Sequence, residues 1–309
     1  MYSTTAATNG NPHPARSPNS INIWQQNVNR SHTCQHALIS SAALARRGID
    51  IVALQEPPIS SFGTTIAARE WTPIYPTTHS TEPSKTRSLI LIRSNILTDQ
   101  WNQVDYPSGD VTIVSIRGTW GELTIFNIYN DCEKNDTITQ LQTFCWQHAT
   151  APSRPNEIPA NGQPIIWLGD FNRHHPHWDD PTDTRLFTRT AIQDAKILIS
   201  AVAELGLDLA LPPGTPTHLH HVTKKWTRLD QVFISEDHID TVTACEALQD
   251  APGIDTVHLL ILTSLDLDLT RVPINPPKNF RNIDWEKFEE KLSAKLDSLN
   301  PPTHNQPRR

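Results

Sequence analysis

The sequence contains few cysteines, no long apolar run and no excess of basic residues. Its four cysteines form no C-x-x-C pair, which argues against a zinc site and against a disulfide framework, so we expect free buried thiols. No stretch approaches the ~18 consecutive apolar residues of a membrane-spanning helix, so we expect no membrane partner. The formal net charge is −7, which argues against a broad basic surface for nucleic acid. It still allows an acidic active site whose bound metal reverses the local charge.

The length of 309 residues suits one large domain with tails, or two small domains. Residues 1–19 are polar and lack the apolar middle of a signal peptide, so we expect a disordered leader and an intracellular protein. One domain is predicted over residues 20–270, and a proline-rich linker with an amphipathic helical tail over residues 271–309. The tail places its apolar residues on one stripe, which comprises Trp285, Phe288, Leu292, Leu296 and Leu299.

Apolar runs of strand length alternate irregularly with segments of helical periodicity, and no internal repeat occurs. Because strands outnumber helices, the pattern favours an α/β (α+β) fold over a simple parallel doubly wound sheet. We expect a four-layer α/β sandwich, in which two packed mixed β-sheets are flanked by helices. Strands are predicted over 21–28, 51–55, 88–93, 111–116, 123–129, 164–169 and 258–265, and two more within 215–234. Helices are predicted over 31–47, 136–148 and 190–205. Irregular loops are predicted over 57–86 and 150–163.

Four of the predicted strands end in polar clusters. A rigid sheet aims the side chains at its strand ends, and the adjoining loops leave room for a substrate. Each cluster by itself is more simply explained as a set of capping or turn residues, but the repetition on separate strands indicates a functional site. The clusters are Gln26-Asn27, Gln55-Glu56, Tyr129-Asn130 and Gly169-Asp170-Phe171-Asn172.

The side chains in these clusters suit hydrolysis of a phosphodiester. Carboxylate and amide oxygens are the ligands that Mg²⁺ requires, and Glu56 and Asp170 are the natural candidates. A phosphodiester repels an attacking water because it is negatively charged, and a bound cation offsets that charge. A histidine is then useful beside the scissile phosphate, as a base or as a stabiliser of charge.

Six motifs occur in order along the chain. They are WQQNVNRS (24–31), IVALQEP (51–57), FNIYN (126–130), WLGDFNRHHPHW (167–178), GTPTH (214–218) and RLDQVFIS (228–235). Together they resemble the endonuclease domain of LINE-type (non-LTR) retrotransposons, a branch of the endonuclease/exonuclease/phosphatase superfamily, from about residue 20 to 268. The resemblance implies an endonuclease that nicks DNA with Mg²⁺, or alternatively Mn²⁺, and a location in the nucleus.

The resemblance also implies a role for each matching residue. Asn27 and Glu56 match the residues on the metal side, and Tyr129 matches a tyrosine near the phosphate. Asp170 matches the aspartate that orients or deprotonates the attacking water, Asn172 the asparagine that holds the phosphate oxygens, and His258 the catalytic histidine that Asp230 orients. The candidates for contacts with DNA are Arg173, His174, Thr217, Lys224 and Lys225.

The sequence departs from the pattern at the last motif. Where the family has Ser- or Thr-Asp-His, this chain has Thr256-Val257-His258, and valine cannot bind a cation. Asp255 would face the same way as position 257 in an extended strand, but roughly 6–7 Å along it, which is too far for direct substitution. We therefore expect reduced metal affinity or a reduced rate.

Several alternatives stay open at this point. Two histidine clusters, at residues 174–177 and 218–221, have the composition of transition-metal sites but no recognised spacing, and loop packing or DNA contacts explain them more simply. The protein is alternatively a weakened or inactive nucleic-acid-binding remnant, or a phosphodiesterase acting on another phosphoester. The reverse transcriptase that follows such nucleases is absent from these residues, so a separate reverse transcriptase polypeptide is a candidate partner.

Overall fold

The computed structural model describes residues 20–40, 47–149, 164–252, 255–272 and 284–297. The chain divides into two compact units, Met1–Val272 and Pro273–Arg309. The predicted leader, the loop 150–163 and most of the proline-rich linker lie outside the described residues. Among the helices described, none is long and apolar enough to cross a membrane.

The first unit contains two six-stranded mixed sheets and a short hairpin. The first sheet contains β1 (Ile21–Asn27), β2 (Ile51–Gln55), β3 (Trp71–Ile74), β4 (Ser88–Arg93), β13 (Val242–Pro252) and β14 (Leu259–Leu265), in the order β13-β14-β1-β2-β4-β3. The second contains β5 (Trp101–Val104), β6 (Val111–Gly118), β7 (Gly121–Tyr129), β8 (Ile165–Asp170), β9 (Leu207–Leu209) and β12 (Asp230–Ser235), in the order β5-β6-β7-β8-β12-β9. The hairpin consists of β10 (His218–Leu219) and β11 (Trp226–Thr227).

Three α-helices are described in the first unit and one in the second. They are α1 (His32–Ile39), α2 (Asp136–Ala149) and α3 (Arg189–Glu204), followed by α4 (Trp285–Asp297) in the second unit. Side-chain oxygens cap two of them, because Ser31 accepts from the Cys34 amide and Thr188 from the Ala191 amide. On α4 the described members of the predicted apolar stripe are exposed, with Trp285 at 62%, and Leu299 lies outside the described residues. Short 3-10 helices cover 77–80, 83–85, 184–186 and 236–241.

Three apolar layers hold the first unit together, and they explain why so many strands are apolar on both faces. Ile23 and Ile51 of the first sheet pack against Ile125 and Ile166 of the second in the central layer. The outer face of the second sheet packs against α2 and α3, and the outer face of the first packs against α1. The predicted four-layer sandwich of two packed mixed sheets flanked by helices is therefore confirmed.

Some element boundaries differ from the prediction. The segment 57–86, predicted to be irregular, contains the edge strand β3, which Pro73 obscured, and two 3-10 helices. The helix predicted over 31–47 is described only to Ile39, and residues 41–46 lie outside the described part of the chain. The prediction has two strands within 215–234, where the structure begins three, β10, β11 and β12. It also has no strand at β5, β9 or β13. β5 and β9 are short, and all three lie at sheet edges, where alternation is weak.

The topology brings the polar strand ends together. β1 and β2 are parallel neighbours, so Asn27 lies beside Gln55, and β7 and β8 are parallel neighbours, so Tyr129 lies beside Asp170. β12 runs antiparallel to β8 and begins with Asp230 opposite Asp170. One edge of the sandwich thus collects the four polar clusters found in the sequence.

Candidate active site

An asparagine amide joins two of the carboxylates at this edge. The Nδ2 atom of Asn27 lies 2.9 Å from Oδ2 of Asp170 and 3.3 Å from Oε2 of Glu56. Its Oδ1 atom accepts the backbone N–H of Asn29 at 2.8 Å, which fixes the orientation of the amide. Asn27 and Asp170 are both 2% exposed. The sheet ends therefore bring together a buried carboxylate, Asp170, and a half-buried one, Glu56, which one donor group bridges.

Left-handed backbone is concentrated around this pair. Six non-glycine residues of the described chain have positive φ, and four of them, Asn29, Arg30, Glu56 and Asn172, surround the site. Such conformations are unfavourable for residues with a Cβ and persist where the surroundings impose them, commonly at functional sites. Glu56 is held there by two backbone hydrogen bonds, because its N–H donates to the Arg87 carbonyl and its carbonyl accepts from the Arg30 amide.

A histidine faces the acidic pair from the other side. The Nδ1 atom of His258 lies 2.9 Å from Oδ2 of Asp230, and its Nε2 atom lies 3.9 Å from Oδ2 of Asp170. A carboxylate on one ring nitrogen fixes the tautomer and stabilises the charged imidazole. The backbone amide of Asp230 donates to the Thr217 hydroxyl at 3.2 Å, so Thr217 positions the start of β12.

Burial and neighbouring charges shift the pKa values of Asp170 and His258, and Asp230 influences both. Burial raises the pKa of the Asp170 carboxyl above its usual value and repulsion from Asp230 adds to this, whereas His258 and the Asn27 hydrogen bond oppose it. Burial by itself lowers the pKa of His258, but the charge and hydrogen bond of Asp230, with the charges of Asp170 and Glu56, raise it above its usual value. The raised pKa thus enables the Asp170 carboxylate to take up a proton, while the raised pKa of His258 favours its charged form.

Tyr129 stands at the end of β7 with its phenol kept neutral. Burial, with repulsion from Glu56 and Asp170, raises its pKa far above the usual range. The guanidinium of Arg87 lies 4.7 Å from the centre of its ring, and that guanidinium is held by Asp110 at 2.7 Å and Asp131 at 2.8 Å. Tyr129 therefore keeps a protonated hydroxyl that can donate a hydrogen bond at neutral pH.

Asn172 is tied to the end of β7 by its neighbour Asn130. The Asn172 amide nitrogen donates to the Asn130 carbonyl at 2.9 Å, and its backbone N–H donates to Oδ1 of Asp170 at 3.1 Å. Asn130 is fully buried and donates its side-chain amide to the Phe171 carbonyl at 2.9 Å. One hydrogen of the Asn172 amide remains available for a phosphate oxygen.

The donor set at this edge fits a hard divalent cation. Glu56 and Asp170 place carboxylate oxygens around one amide, and the positive N–H group of Asn27 sits where their negative potentials meet. Asp170, Asp230 and His258 also form the one group of three potential ligands within 4.8 Å found among the described residues. Oxygen ligands of this kind are those preferred by Mg²⁺ and Mn²⁺.

Two of the predicted DNA-contacting residues are buried, and for them the prediction is corrected. Arg173 is 3% exposed, and its guanidinium donates to the Asn135 side chain and to the backbone carbonyls of Asn172 and Lys134, so it anchors a loop. Thr217 is 0% exposed and acts through its contact with Asp230. In both cases a polar side chain in a motif satisfies backbone groups inside the protein.

The remaining candidates stay accessible. Lys224 and Lys225 are exposed in the hairpin turn, Lys224 with a left-handed φ of 53°. His174 is half-buried, and its Nδ1 atom lies 3.2 Å from Oδ1 of the buried Asp179. Neither predicted histidine cluster forms a group of three potential metal ligands within the described residues.

The departure at the last motif is visible in the structure. Val257 is half-buried, and its carbonyl accepts the Leu219 amide at 2.8 Å, which joins the hairpin to the loop before β14. Asp255 is exposed and has a φ of 60°, so the extended geometry assumed for it is wrong. Asp255 thus precedes β14 in a turn-like conformation instead of continuing the strand.

Two positioning residues have no assigned role in the sequence prediction. Arg87 follows a polar loop with no strand signal of its own, and Asn130 belongs to a predicted polar cluster in which only Tyr129 has a role. The polar doublet Tyr129-Asn130 was the signal available for Asn130. Nothing local indicated that Arg87 would meet Asp110, Asp131 and Tyr129, because these contacts depend on the packing of separate loops.

Fold and site together define a class of protein. The chain has the LINE-endonuclease-like fold of the endonuclease/exonuclease/phosphatase superfamily, which confirms the resemblance read from its motifs. The protein family described as "Endonuclease-reverse transcriptase" matches residues 123–255. No curated protein matches the chain by sequence.

Solved structures share the fold at low sequence identity. The endonuclease domain of TRAS1, a telomere-specific non-LTR retrotransposon, is 19% identical, with a TM-score of 0.59, over 80% of this chain and 99% of that domain. The AP endonuclease LMAP from Leishmania major is 12% identical, with a TM-score of 0.59, over 82% and 89%. The APE2 catalytic domain from Xenopus laevis is 15% identical, with a TM-score of 0.58, over 85% and 98%.

Proposed function

We propose that this protein is a divalent-metal-dependent endonuclease that nicks DNA. The observation that carries the proposal is the joining of Glu56, Asn27 and Asp170 on one side of the site to the Asp230–His258 pair on the other. Two bridged carboxylates, a charged histidine and a neutral phenol converge on one edge of a rigid sandwich. This arrangement suits in-line hydrolysis of a phosphodiester.

Each side chain has a task that follows from its surroundings. Asp170 accepts a proton from the attacking water, because its pKa is raised and its carboxylate is held by Asn27 and the Asn172 amide. His258 directs Nε2 toward the site and keeps its charge through Asp230, so it stabilises charge that develops on the phosphate. The hydroxyl of Tyr129 donates to a phosphate oxygen.

Glu56 and Asn27 would hold the metal. When bound, Mg²⁺ or Mn²⁺ offsets the charge of the phosphodiester and stabilises the departing oxygen. Because the Asn27 oxygen accepts from Asn29 and its nitrogen faces the carboxylates, Asn27 must rotate its amide to present oxygen to a cation. Val257 adds no ligand, so we expect weaker metal binding than an aspartate at that position would give.

The same proposal includes the origin of the chain. Its motifs and its fold support descent from a non-LTR retrotransposon, in which the nick would expose a 3′ hydroxyl that primes reverse transcription. A separate reverse transcriptase polypeptide would then be a partner, and the nucleus would be the site of action. Co-purification of reverse transcriptase activity with the tagged chain from its own cells is the corresponding test.

The nuclease is tested with supercoiled plasmid. We expect the purified chain to convert the plasmid to open circles when Mg²⁺ is present. We expect no conversion when a chelator is added, and none by the Asp170→Ala variant. Asp180→Ala is the matched control, because Asp180 is exposed and bonds only locally to Thr182. A folded protein that leaves the plasmid intact under all metal conditions would contradict the proposal.

One observation favours a second candidate function, which is DNA binding without cleavage. Val257 removes a carboxylate where the family has one, whereas Asn27, Glu56, Asp170, Asn172, Asp230 and His258 are all present. A binding protein would shift a duplex in a mobility assay, lose affinity steeply with salt, and not nick plasmid. Nicking that appears only in Val257→Asp would identify this candidate.

A further inference from the structure

A cavity of about 380 Å³ opens next to Arg30, whose side chain approaches Glu56. Three cationic residues line it, Arg30, Lys85 and Arg87, together with the acidic residues Glu82 and Asp110 and the hydroxyl residues Ser84 and Ser108. Its wall is tight where two loops meet, because a Cβ on Gly109 would lie 2.4 Å from the Lys85 carbonyl oxygen. The cavity therefore has a tightly packed wall and a lining in which three cations face two carboxylates.

Backbone hydrogen bonds connect two residues of the cavity lining, Arg30 and Arg87, to Glu56, the proposed metal ligand. The N–H of Glu56 donates to the Arg87 carbonyl, and the carbonyl of Glu56 accepts from the Arg30 amide, both at 2.8 Å. Arg30 and Glu56 both have left-handed φ, of 54° and 48°. The backbone hydrogen bonds that hold Glu56 thus also hold the backbone of Arg30. The Arg30 side chain therefore starts from a fixed position between the cavity and the candidate active site.

The three cations differ in how much charge they offer to a ligand. Arg87 forms ion pairs with Asp110 and Asp131, so these two carboxylates already balance its charge. Lys85 pairs with the exposed Glu82. Arg30 is 65% exposed at its side chain, and its nearest ionic contact is the 3.7 Å approach of Nε to Oε1 of Glu56. A cation bound at Glu56 would weaken that contact and leave the guanidinium to a ligand.

We propose that this cavity, with Arg30 as its main anchor, binds a backbone phosphate of the nucleic acid that flanks the phosphate being cleaved. Arg30 supplies a planar fork of N–H donors for phosphate oxygens, Lys85 supplies a second positive charge, and Ser84 or Ser108 supplies a hydroxyl. The contact would position the strand without reading its sequence. The inference rests on the proposed endonuclease function, since it assigns a place to that substrate.

The experiment compares two arginines of similar exposure on a chain that cannot cut. Binding of a labelled DNA duplex to the full chain carrying Asp170→Asn is measured against salt, with Arg30→Gln or Arg117→Gln added. Arg117 is the matched control: its side chain is 51% exposed and it lies 3.4 Å from Glu122, at the opposite end of β6 and β7. We expect Arg30→Gln to reduce the slope of log affinity against log salt by about 0.9, and Arg117→Gln to leave it unchanged.

Neutral methylphosphonates placed one at a time along the duplex then locate the contact. We expect one position beside the cleavage site where the neutral group weakens DNA binding by the parent protein. At that position it should not weaken binding by Arg30→Gln, because that variant has already lost the contact between the arginine and the phosphate. Equal slopes for the two variants, or no position with this coupling, would overturn the subsite while the nuclease proposal stands. If the parent itself binds no duplex, the nuclease proposal fails and the subsite fails with it.

Discussion

The Asn27 amide nitrogen lies 2.9 Å from a carboxylate oxygen of Asp170, although 143 positions separate the two residues along the chain. β1 and β8 belong to different sheets, so this hydrogen bond crosses from one sheet to the other at the active-site edge. It joins Glu56 and Asn27, the proposed metal ligands, to Asp170 and His258, the proposed catalytic pair. Packing of the two sheets therefore assembles the site.

Replacement of Asp170 by asparagine should abolish nicking without unfolding the chain. The substituted amide keeps the shape of the carboxylate side chain but cannot accept a proton, so we expect kcat to fall by roughly 10²–10⁴-fold. Single-turnover nicking and thermal unfolding are the measurements, with Asp180→Asn as the control of equal chemistry at an exposed position. Retention of more than about a tenth of the activity would exclude Asp170 as the base.

Asp230→Asn should impair the reaction through His258. Asp230 is hydrogen-bonded to Nδ1 of His258, and its negative charge is the largest of the effects that raise the pKa of His258. The asparagine variant removes that charge. We expect the pKa of His258 to fall, and the alkaline limb of the pH–rate profile to move to lower pH. NMR titration of the His258 ring checks the shift independently of activity. An unchanged profile with reduced activity would show that Asp230 acts only on stability.

Val257→Asp should strengthen the response to metal. It restores a carboxylate next to His258, so the Mg²⁺ concentration for half-maximal nicking should fall severalfold. Val257→Asn is the matched control, since it has nearly the same size and polarity without the charge. If a magnesium titration gave the same midpoint for the parent and Val257→Asp, the idea that this position limits metal binding would be wrong.

Gly169→Ala should destabilise the sandwich strongly. Gly169 has a φ of 149°, and a Cβ there would lie 1.8 Å from the Ile128 carbonyl oxygen on the neighbouring strand. Backbone cannot move aside as a side chain does, so we expect a loss of roughly 2–5 kcal/mol in the free energy of unfolding. Gly214→Ala is the control, because its φ is 77° but nothing lies within 4 Å of its Cβ position. Equal losses in urea unfolding would contradict this account of β7 and β8.

His218 should make the fold sensitive to mild acid. Burial lowers the pKa of His218 from 6.5 to about 4, and repulsion from His258, whose ring centre lies 4.7 Å away, adds to this. Between these two values the unfolded chain binds more protons, so the stability from neutral His218 is present above pH 6.5 and lost as pH falls through about 4.

The variant His218→Gln cannot titrate and should therefore lose less thermal stability between neutral pH and pH 5 than the parent does. His221→Gln is the comparison, since His221 is exposed at the same hairpin. Identical acid sensitivity of the parent and His218→Gln in thermal melts would show that other groups control this response.

The sequence was most informative where one local pattern carried the signal. The buried strands were recognisable from apolar runs of the right length, and the site from polar residues directly after them, as with Glu56 after β2 and Asp170 in β8. Edge strands such as β3 were missed because Pro73 and polar neighbours give no clear alternation. Arg173 was misjudged, because a motif shows that a residue is used but not which way it points.

By itself, the sequence determined the residue types at the strand ends, the four-layer class of the fold and the replacement of an aspartate by Val257. Each of these depends on local composition or on a pattern within a few residues. Only the tertiary structure decided which groups meet. The amide of Asn27 reaches Asp170 across two sheets, Arg173 turns inward to satisfy carbonyl groups, and Arg30 and Arg87 line one cavity beside Glu56. These contacts join distant segments, so they arise from the packing of the sheets and loops.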